Sequence, residues 1–214
     1  KDKGSPYAAE GSCAHEVADK ALKGKKDCAE FIGKEYHGHE VTQEMADYVQ
    51  EYVDYVRGLK GSQEYEQRVD FDDWVWKGFG TSDAIVYADN TLYVVDLKYG
   101  QGHKVDADEN PQGMLYALGA LSERDGLMEI DLITIVIVQP RLDHISEWSI
   151  KPDDLYKWGE WVANRAQLCL RDDAELVAGE SQCLWCKAKA TCPELMKRTE
   201  QALMCDFDSM TELP

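Results

Sequence analysis

Apolar residues recur along this chain with two different periods. Spacing of three or four residues predicts amphipathic helices, and strict alternation predicts half-buried strands. Helical spacing covers residues 5–24 and 42–59. Pro111 suits the first turn of a third helix, which extends to about residue 123. A fourth predicted helix begins at 151 and extends to about residue 178.

Alternating or continuous apolar runs predict strands between these helices. The run 132–139 is continuous and rich in β-branched residues, which is typical of a buried central strand. The other predicted strands are 64–71, 81–88, 91–99 and 144–150. In chain order, these elements predict an α/β fold in which a mixed β-sheet is flanked by helices.

The pair Asp89-Asn90 separates two alternating apolar runs and predicts a two-residue β-hairpin loop. Counting back from this loop places Asp83 opposite Asp96, with Cβ atoms roughly 4.5–5.5 Å apart. Two opposed carboxylates repel each other unless a cation lies between them. Lys98 lies two residues beyond Asp96 and therefore on the same face. This pattern predicts hydrolysis of phosphodiester bonds with Mg²⁺ or Mn²⁺, the alternative being an ordinary hairpin with exposed acids.

The hydrophobic fraction is typical of a folded protein, and the net charge argues against ordinary nucleic-acid binding. The 214 residues are 44% hydrophobic, and we predict one catalytic domain over 1–178 and a cysteine-rich segment over 179–214. No apolar run approaches the ~20 residues of a membrane helix, so we expect no membrane association. The net charge is −18, although affinity for DNA comes largely from Lys and Arg. A local basic group is formed by Lys20, Lys23, Lys25 and Lys26, which is equally well explained as a solvated helix end.

Aromatic residues offer a second way to hold nucleic acid, because unpaired bases stack on aromatic rings. Five such residues lie within the predicted strands or between them, although side chains at these positions more often pack in the core: Trp74, Trp76, Tyr87, Tyr93 and Tyr99.

The cysteines of the closing segment predict a second metal site. Cys183 and Cys186 have C-x-x-C spacing, and Cys192 follows with Pro193 directly after it. This arrangement suggests iron–sulfur ligation, with zinc as the alternative and unrelated free thiols as a third reading. Seven cysteines without a visible secretory signal indicate a reducing compartment, so we expect a cytoplasmic location.

Four short motifs, in this order, resemble the RecB-like branch of the PD-(D/E)XK nuclease superfamily. The branch has a Gly-x-x-x-His helix, an Asp, an Asp-x-Lys and a Gln-x-x-x-Tyr helix. The matching residues here are Gly11 to His15, Gly80 to Asp83, Asp96-Leu97-Lys98, and Gln112 to Tyr116. The amino-acid sequence of residues 5–11 is also similar to that of phage-encoded members of this branch. The resemblance implies a restriction-endonuclease-like fold and a metal-dependent DNA exonuclease.

The resemblance also implies a role for each matching residue. His15, Asp83, Asp96 and the backbone carbonyl of Leu97 would hold the Mg²⁺ or Mn²⁺ ion. Lys98 would orient or deprotonate the hydrolytic water. Gln112 and Tyr116, one helical turn apart, would line the site and either contact the substrate or support the lysine and the metal ligands.

For the C-terminal segment, the resemblance implies a [4Fe–4S] cluster held by Cys183, Cys186 and Cys192. The fourth cysteine would lie upstream of the first motif. Residues 1–4 contain no cysteine and no initial Met, so we expect that ligand in a missing N-terminal piece. The cluster would be structural, and its segment would pack back on the nuclease domain.

The implied biological setting is phage recombination or DNA processing in a bacterial host, with DNA as substrate and a single-strand annealing protein as partner. The competing hypothesis is a catalytically weak DNA- or protein-binding module that keeps the fold and the cluster, and the acidic charge favours it. A sequence-specific restriction enzyme shares the chemistry, but no additional recognition region is visible.

Overall fold

The structure is a computed structural model that describes residues 6–124 and 126–208, with side chains at 7–124 and 126–204. The chain divides into two compact units, Lys1–Ala166 and Gln167–Pro214. The predicted division at 178/179, and the docking of the last segment on the nuclease domain, stay predictions.

The helices and strands follow the predicted order, with additions. The helices are α1 (Pro6–Gly24), α2 (Gln43–Gly58), α3 (Pro111–Glu123), α4 (Pro152–Cys169), α5 (Glu180–Leu184) and α6 (Pro193–Asp208). The strands are β1 (Glu35–Tyr36), β2 (His39–Glu40), β3 (Ser62–Asp70), β4 (Phe79–Ala88), β5 (Thr91–Leu97), β6 (Leu132–Gln139) and β7 (His144–Ile150).

Side-chain caps fix where two of the long helices begin. The Thr42 side chain accepts a hydrogen bond from the Met45 N–H at the start of α2. Asn110 does the same for the Gly113 N–H at the start of α3, with Pro111 in the first turn. Helix α4 ends at Cys169, earlier than the predicted 178, and a turn in which Arg171 pairs with Asp173 follows it.

The five-stranded sheet has the order β3-β4-β5-β6-β7, and β5 and β6 are its parallel pair. The predicted hairpin is confirmed, because Asp89 and Asn90 have φ of 47° and 56° and join β4 to β5 as a two-residue loop. Helix α3 connects the parallel strands. The structure is therefore a mixed α/β fold with a five-stranded mixed sheet flanked by helices, consistent with a restriction-endonuclease-like fold, as predicted.

Each face of the sheet carries its own core. Ala84, Val95 and Val136 pack with α1 and α2 on one face. Ile85 and Val94 pack with α3 on the other. Because strands β4 to β6 are covered on both faces, their sequences are nearly continuous apolar runs. The two layers of helices bring the motifs on α1 and α3 to the same sheet.

The short hairpin β1–β2 was missed by the sequence analysis, because strands of two residues leave no periodic signal. His37 and Gly38 form its turn with positive φ, 54° and 77°. The Cys13 thiol donates to the His39 carbonyl, which ties the hairpin to α1.

Candidate metal centre

The ladder between β3 and β4 is interrupted at Glu66 and Asp83. The pairs Tyr65–Ala84 and Gln67–Ser82 flank this position, so the two residues lie opposite each other without being ladder partners. Glu66 has a φ of 48°, which is unusual for a residue other than glycine. Such strain is retained where the surrounding structure requires it.

The two strands change faces at this interruption. Tyr65 and Ala84 belong to the core beneath α1 and α2. Four residues away, Val69 belongs to the other core, and a Cβ placed on Gly80 would overlap the Tyr116 ring of α3. Residues four apart in a regular strand share a face. Because of this distortion, the Asp83 side chain contacts groups that it could not reach from a regular ladder.

Asp83 uses both carboxylate oxygens. Oδ1 lies 3.0 Å from His15 Nδ1 of α1, and Oδ2 accepts a hydrogen bond of 2.7 Å from the Leu97 N–H of β5. The ladder of β4 with β5 ends at Ala84–Val95, so this side-chain bond takes the place of the next backbone bond. The predicted hairpin register is confirmed as far as Ala84–Val95, one position before the predicted Asp83–Asp96 pair, and Asp83 additionally ties α1 to β5.

Glu66 completes a group of three ligands. One ligand atom each from His15, Glu66 and Asp83 lie within 4.8 Å of one another, the single group of three His, Cys, Asp or Glu side chains at this spacing among the described residues. A carboxylate pair with one imidazole suits Mn²⁺, and carboxylates suit Mg²⁺. The donor set therefore fits a divalent cation. Sequence analysis missed Glu66, because its position opposite Asp83 depends on the β3–β4 register, which no short loop reveals.

Asp96 lies beside this group but outside it. Its side chain is buried at the end of β5, and Lys98 Nζ is 2.8 Å from its Oδ2. The contact has the distance of an ion pair, and no other described group donates a hydrogen bond to Oδ2. For Leu97, the observed bond to the site is made by its N–H; its carbonyl as a metal ligand stays a prediction.

Lys98, Gln112 and Tyr116 form a hydrogen-bonded chain. Lys98 Nζ donates to Gln112 Oε1 at 2.9 Å, and Gln112 Nε2 donates to the Tyr116 hydroxyl at 3.1 Å. Helix α3 approaches the sheet closely because Gly80 lies under Tyr116 and Gly113 lies over Ile135. The lysine is held between Asp96 and Gln112, with its ammonium group fixed beside the acidic residues.

Burial and mutual repulsion shift the pKa values of this group. Burial first, and then the charge of Asp83, raise the pKa of Asp96 from its ordinary 3.8 to about 6, against the opposing charge of Lys98. Burial and Asp83 also raise the pKa of Glu66. Burial alone would lower the pKa of His15, but its hydrogen bond and charge interaction with Asp83 outweigh it, and the pKa is raised. The centre thus retains protons that a cation would displace.

Two open clefts meet at the centre. One is lined by Glu16, His37, Glu66 and Asp83 and the other by residues that follow β5, and both share Gly11 and His15. A Cβ on Gly11 would meet nothing within 4 Å. The small residue leaves the centre open to a ligand from the side of α1.

The C-terminal cysteines do not form a comparable group. Cys183 lies in α5, Cys186 follows it, and Cys192 directly precedes α6. Their three sulfur atoms are not all within 4.8 Å of one another, since the described residues contain only the group at His15. The Gly179 N–H donates to Cys183 Sγ. This spacing describes the ligands of a single ion, whereas a [4Fe–4S] cluster binds each cysteine sulfur at a different iron; the ligand assignment stays a prediction.

Comparison with known proteins places the chain in a family. Residues 1–214 match the family model described as "Protein of unknown function (DUF2800)". The chain belongs to the DUF2800 family. It is also similar to a protein described as "Crystal structure of SSO0001", with 16% identity, a TM-score of 0.36, and coverage of 86% of this chain and 84% of that one. A likeness this distant carries no argument about function.

Among the helices that the structure describes in this DUF2800 member, none combines the length and the apolar character needed to cross a bilayer.

Proposed function

We propose that this DUF2800 protein is a divalent-metal-dependent nuclease that hydrolyses DNA phosphodiester bonds. The observation that carries the proposal is the meeting of His15, Glu66 and Asp83 ligand atoms within 4.8 Å, directly beside the Asp96–Lys98 pair. An open, acidic group can hold the divalent cation of metal-assisted hydrolysis, and the neighbouring lysine adds a group that can act on the water.

The proposed roles follow from the contacts of each side chain. His15, Glu66, Asp83 and Asp96 would hold Mg²⁺ or Mn²⁺, which polarises the phosphate and lowers the pKa of an attacking water when bound. Lys98, whose ammonium group contacts Asp96 and Gln112, would orient or deprotonate the hydrolytic water. Tyr116 orients Gln112 and thereby acts on Lys98 as a positioning residue.

The motif order supports a finer assignment. The four motifs resemble the RecB-like PD-(D/E)XK branch, from which we infer exonuclease activity, a role in phage recombination or DNA processing, and a single-strand annealing protein as partner. A cytoplasmic location belongs to the same inference.

Degradation of end-labelled DNA tests the proposal. The wild-type protein should degrade DNA with Mg²⁺ or Mn²⁺ and stop in EDTA. Asp96→Asn and Asp83→Asn should lower the rate at least about 100-fold, because Asp83 belongs to the metal group and Asp96 is the further carboxylate proposed to hold the ion. Glu160→Gln, which removes an exposed carboxylate of α4, is the matched control and should leave the rate unchanged. Equal rates for Asp96→Asn and wild type would refute the assigned site.

The net charge of −18 favours a second candidate, a DNA- or protein-binding module with little catalysis. Its fold would be retained, but the carboxylates would have no cation to hold. Calorimetric titration with Mn²⁺ separates the two, because the nuclease should show binding that Asp83→Asn abolishes, whereas the module should show none.

A cluster at Cys183, Cys186 and Cys192 remains part of the proposal, as [4Fe–4S] or, alternatively, zinc. Its support is the C-x-x-C spacing and the resemblance. None of the proposed hydrolytic steps depends on it. The visible absorption spectrum and the metal content of an anaerobic preparation distinguish iron, zinc and free thiols.

A further inference from the structure

We infer that this protein binds unpaired nucleic-acid strands on an exposed strip of β3 and β4 that leads from Trp76 and Phe79 to the metal centre. The inference rests on the proposed function for its substrate class, and it adds a preference for single strands. We call this surface the β3–β4 strip; it consists of Glu66, Arg68, Trp76, Lys77, Phe79 and Thr81.

Two large aromatic rings are exposed on the strip. Trp76 is 64% exposed and Phe79 is 56% exposed. Each has a cation over its ring, with Lys77 Nζ 4.4 Å from the Trp76 centroid and Arg68 Cζ 3.9 Å from the Phe79 centroid. An aromatic ring beside a cation offers a base a stacking partner and offers its phosphate a charge.

Other aromatic side chains considered from the sequence serve the cores instead. Tyr87 and Tyr99 are buried, and Tyr93 is partly buried against the core beneath α1 and α2. Trp74 stacks with Tyr156 and lies against Gly159 of α4. Of the five aromatic residues named from the sequence, only Trp76 is therefore well exposed. Phe79 is a further exposed ring, three residues away and no more than about 11 Å along the chain.

The strand register joins these rings to the metal centre. Phe79 pairs with Asp70, and Thr81 pairs with Arg68. The Gln67–Ser82 pair comes next along the strands, and the interruption at Asp83 and Glu66 follows it. Phe79, Thr81, Arg68 and Glu66 are all exposed. Four residues of strand separate Phe79 from Asp83, or roughly 13 Å, the length of about four stacked nucleotides.

The loop that presents Trp76 is tightly built. The Phe71 N–H donates to the Gly78 carbonyl, and the Lys77 N–H donates to Asp72 Oδ1. A Cβ on Gly78 would overlap both the Phe71 ring and the Val75 carbonyl. A loop held by its own backbone presents the ring with little entropy left to lose on binding.

The net charge of the protein favours a single-stranded ligand over a duplex. Duplex binding depends on many Lys and Arg contacts to phosphate, and the net charge is −18. The strip offers only Arg68 and Lys77. Stacking does not depend on salt in this way and needs bases that are not already paired. A protein of this charge therefore gains more from unpaired bases than from the duplex backbone.

Fluorescence anisotropy with a labelled thymine dodecamer and a hairpin duplex, both in EDTA, tests the inference without hydrolysis. The single strand should bind more tightly than the duplex. Trp76→Ala and Phe79→Ala should each weaken single-strand binding about tenfold. Arg68→Gln should reduce the slope of log K against log salt by about 0.7, whereas Phe79→Ala should leave that slope unchanged.

Three controls keep the outcomes distinct. Trp161→Ala removes another exposed ring with an Arg nearby, but on α4, and should bind like wild type. Trp76→Phe and Phe79→Tyr should retain binding, which excludes misfolding as the cause of a loss. Wild-type affinity in Trp76→Ala and Phe79→Ala, equal affinity for the duplex, or altered self-association instead of DNA binding would each overturn the inference.

Failure of the proposed function has a different signature. If the strip binds single strands but Mn²⁺ gives no hydrolysis, the nuclease proposal fails and the strip stands. If Mn²⁺ gives hydrolysis that Trp76→Ala and Phe79→Ala leave unchanged on single strands, the strip is wrong and the nuclease proposal stands.

Discussion

At the residue scale, the centre depends on Asp83, whose two oxygens contact His15 and the Leu97 N–H. The hairpin loop and the short motifs were enough to select Asp83, Asp96 and Lys98 from the sequence. Glu66 could not be selected in this way. It joins the group through the β3–β4 register and through a backbone with positive φ, and neither follows from local sequence.

Asp96→Asn should stabilise the metal-free protein at neutral pH. The pKa of Asp96 is raised from 3.8 to about 6, so between these pH values the folded state retains a proton that the unfolded state has lost. Wild-type stability therefore falls as pH rises through 4 to 6, by up to roughly 3 kcal/mol, and the asparagine variant lacks this loss. Urea unfolding in EDTA at pH 4, 6 and 8 measures it; a constant difference between the two proteins would contradict the assignment.

Glu66→Asn should raise the stability of the protein and lower its affinity for Mn²⁺. Asparagine tolerates positive φ better than glutamate, and the change removes repulsion with Asp83, so the free energy of unfolding should rise by up to about 1 kcal/mol. Mn²⁺ affinity should fall at least about tenfold, because a ligand is lost.

The matched control is Glu109→Asn, since Glu109 is also exposed and also has a φ of 48°. It should show a stability gain from the backbone without a change in Mn²⁺ affinity, as measured by calorimetry and urea unfolding. Unchanged Mn²⁺ affinity in Glu66→Asn would remove Glu66 from the metal group.

At the scale of elements, two motif glycines have opposite surroundings. Gly80 lies under the Tyr116 ring, whereas Gly11 of α1 faces open space. The sequence predicted that both belong to site motifs, and it predicted the helices and strands that carry them. It did not distinguish a packing glycine from an open one, because that depends on how closely α3 approaches the sheet.

Gly80→Ala should destabilise the protein by about 1–3 kcal/mol, because the added methyl group overlaps Tyr116 and displaces α3. Gly11→Ala should stabilise it by up to about 1 kcal/mol, because alanine favours the helix and nothing lies within 4 Å. Thermal unfolding of both variants checks the pair. Equal shifts in the same direction would contradict the close packing of α3.

At the scale of the whole molecule, acidic residues dominate, and the metal centre collects several of them. Length, patterning and the Asp89-Asn90 loop predicted the mixed sheet with its flanking helices. The face change at Glu66 and Asp83, and the hairpin β1–β2, arise from long-range packing and very short strands. Neither leaves a periodic pattern to detect.

Mn²⁺ affinity should increase as pH rises from 5 to 8. The pKa values of His15, Glu66 and Asp96 are all raised, so these ligands hold protons at lower pH and must release them to bind a cation. The gain should level off once these groups are deprotonated. Calorimetric titrations in buffers of different ionisation enthalpy report the released protons; binding without proton release would contradict this linkage.

The most direct test is an electron paramagnetic resonance titration of free Mn²⁺ against the metal-free protein at pH 7.5. A cation held by Asp83 with His15 and Glu66 should remove the free-ion signal for the wild type and for Glu160→Gln, and leave it in place for Asp83→Asn. Equal depletion of the signal by Asp83→Asn and wild type would contradict the metal centre.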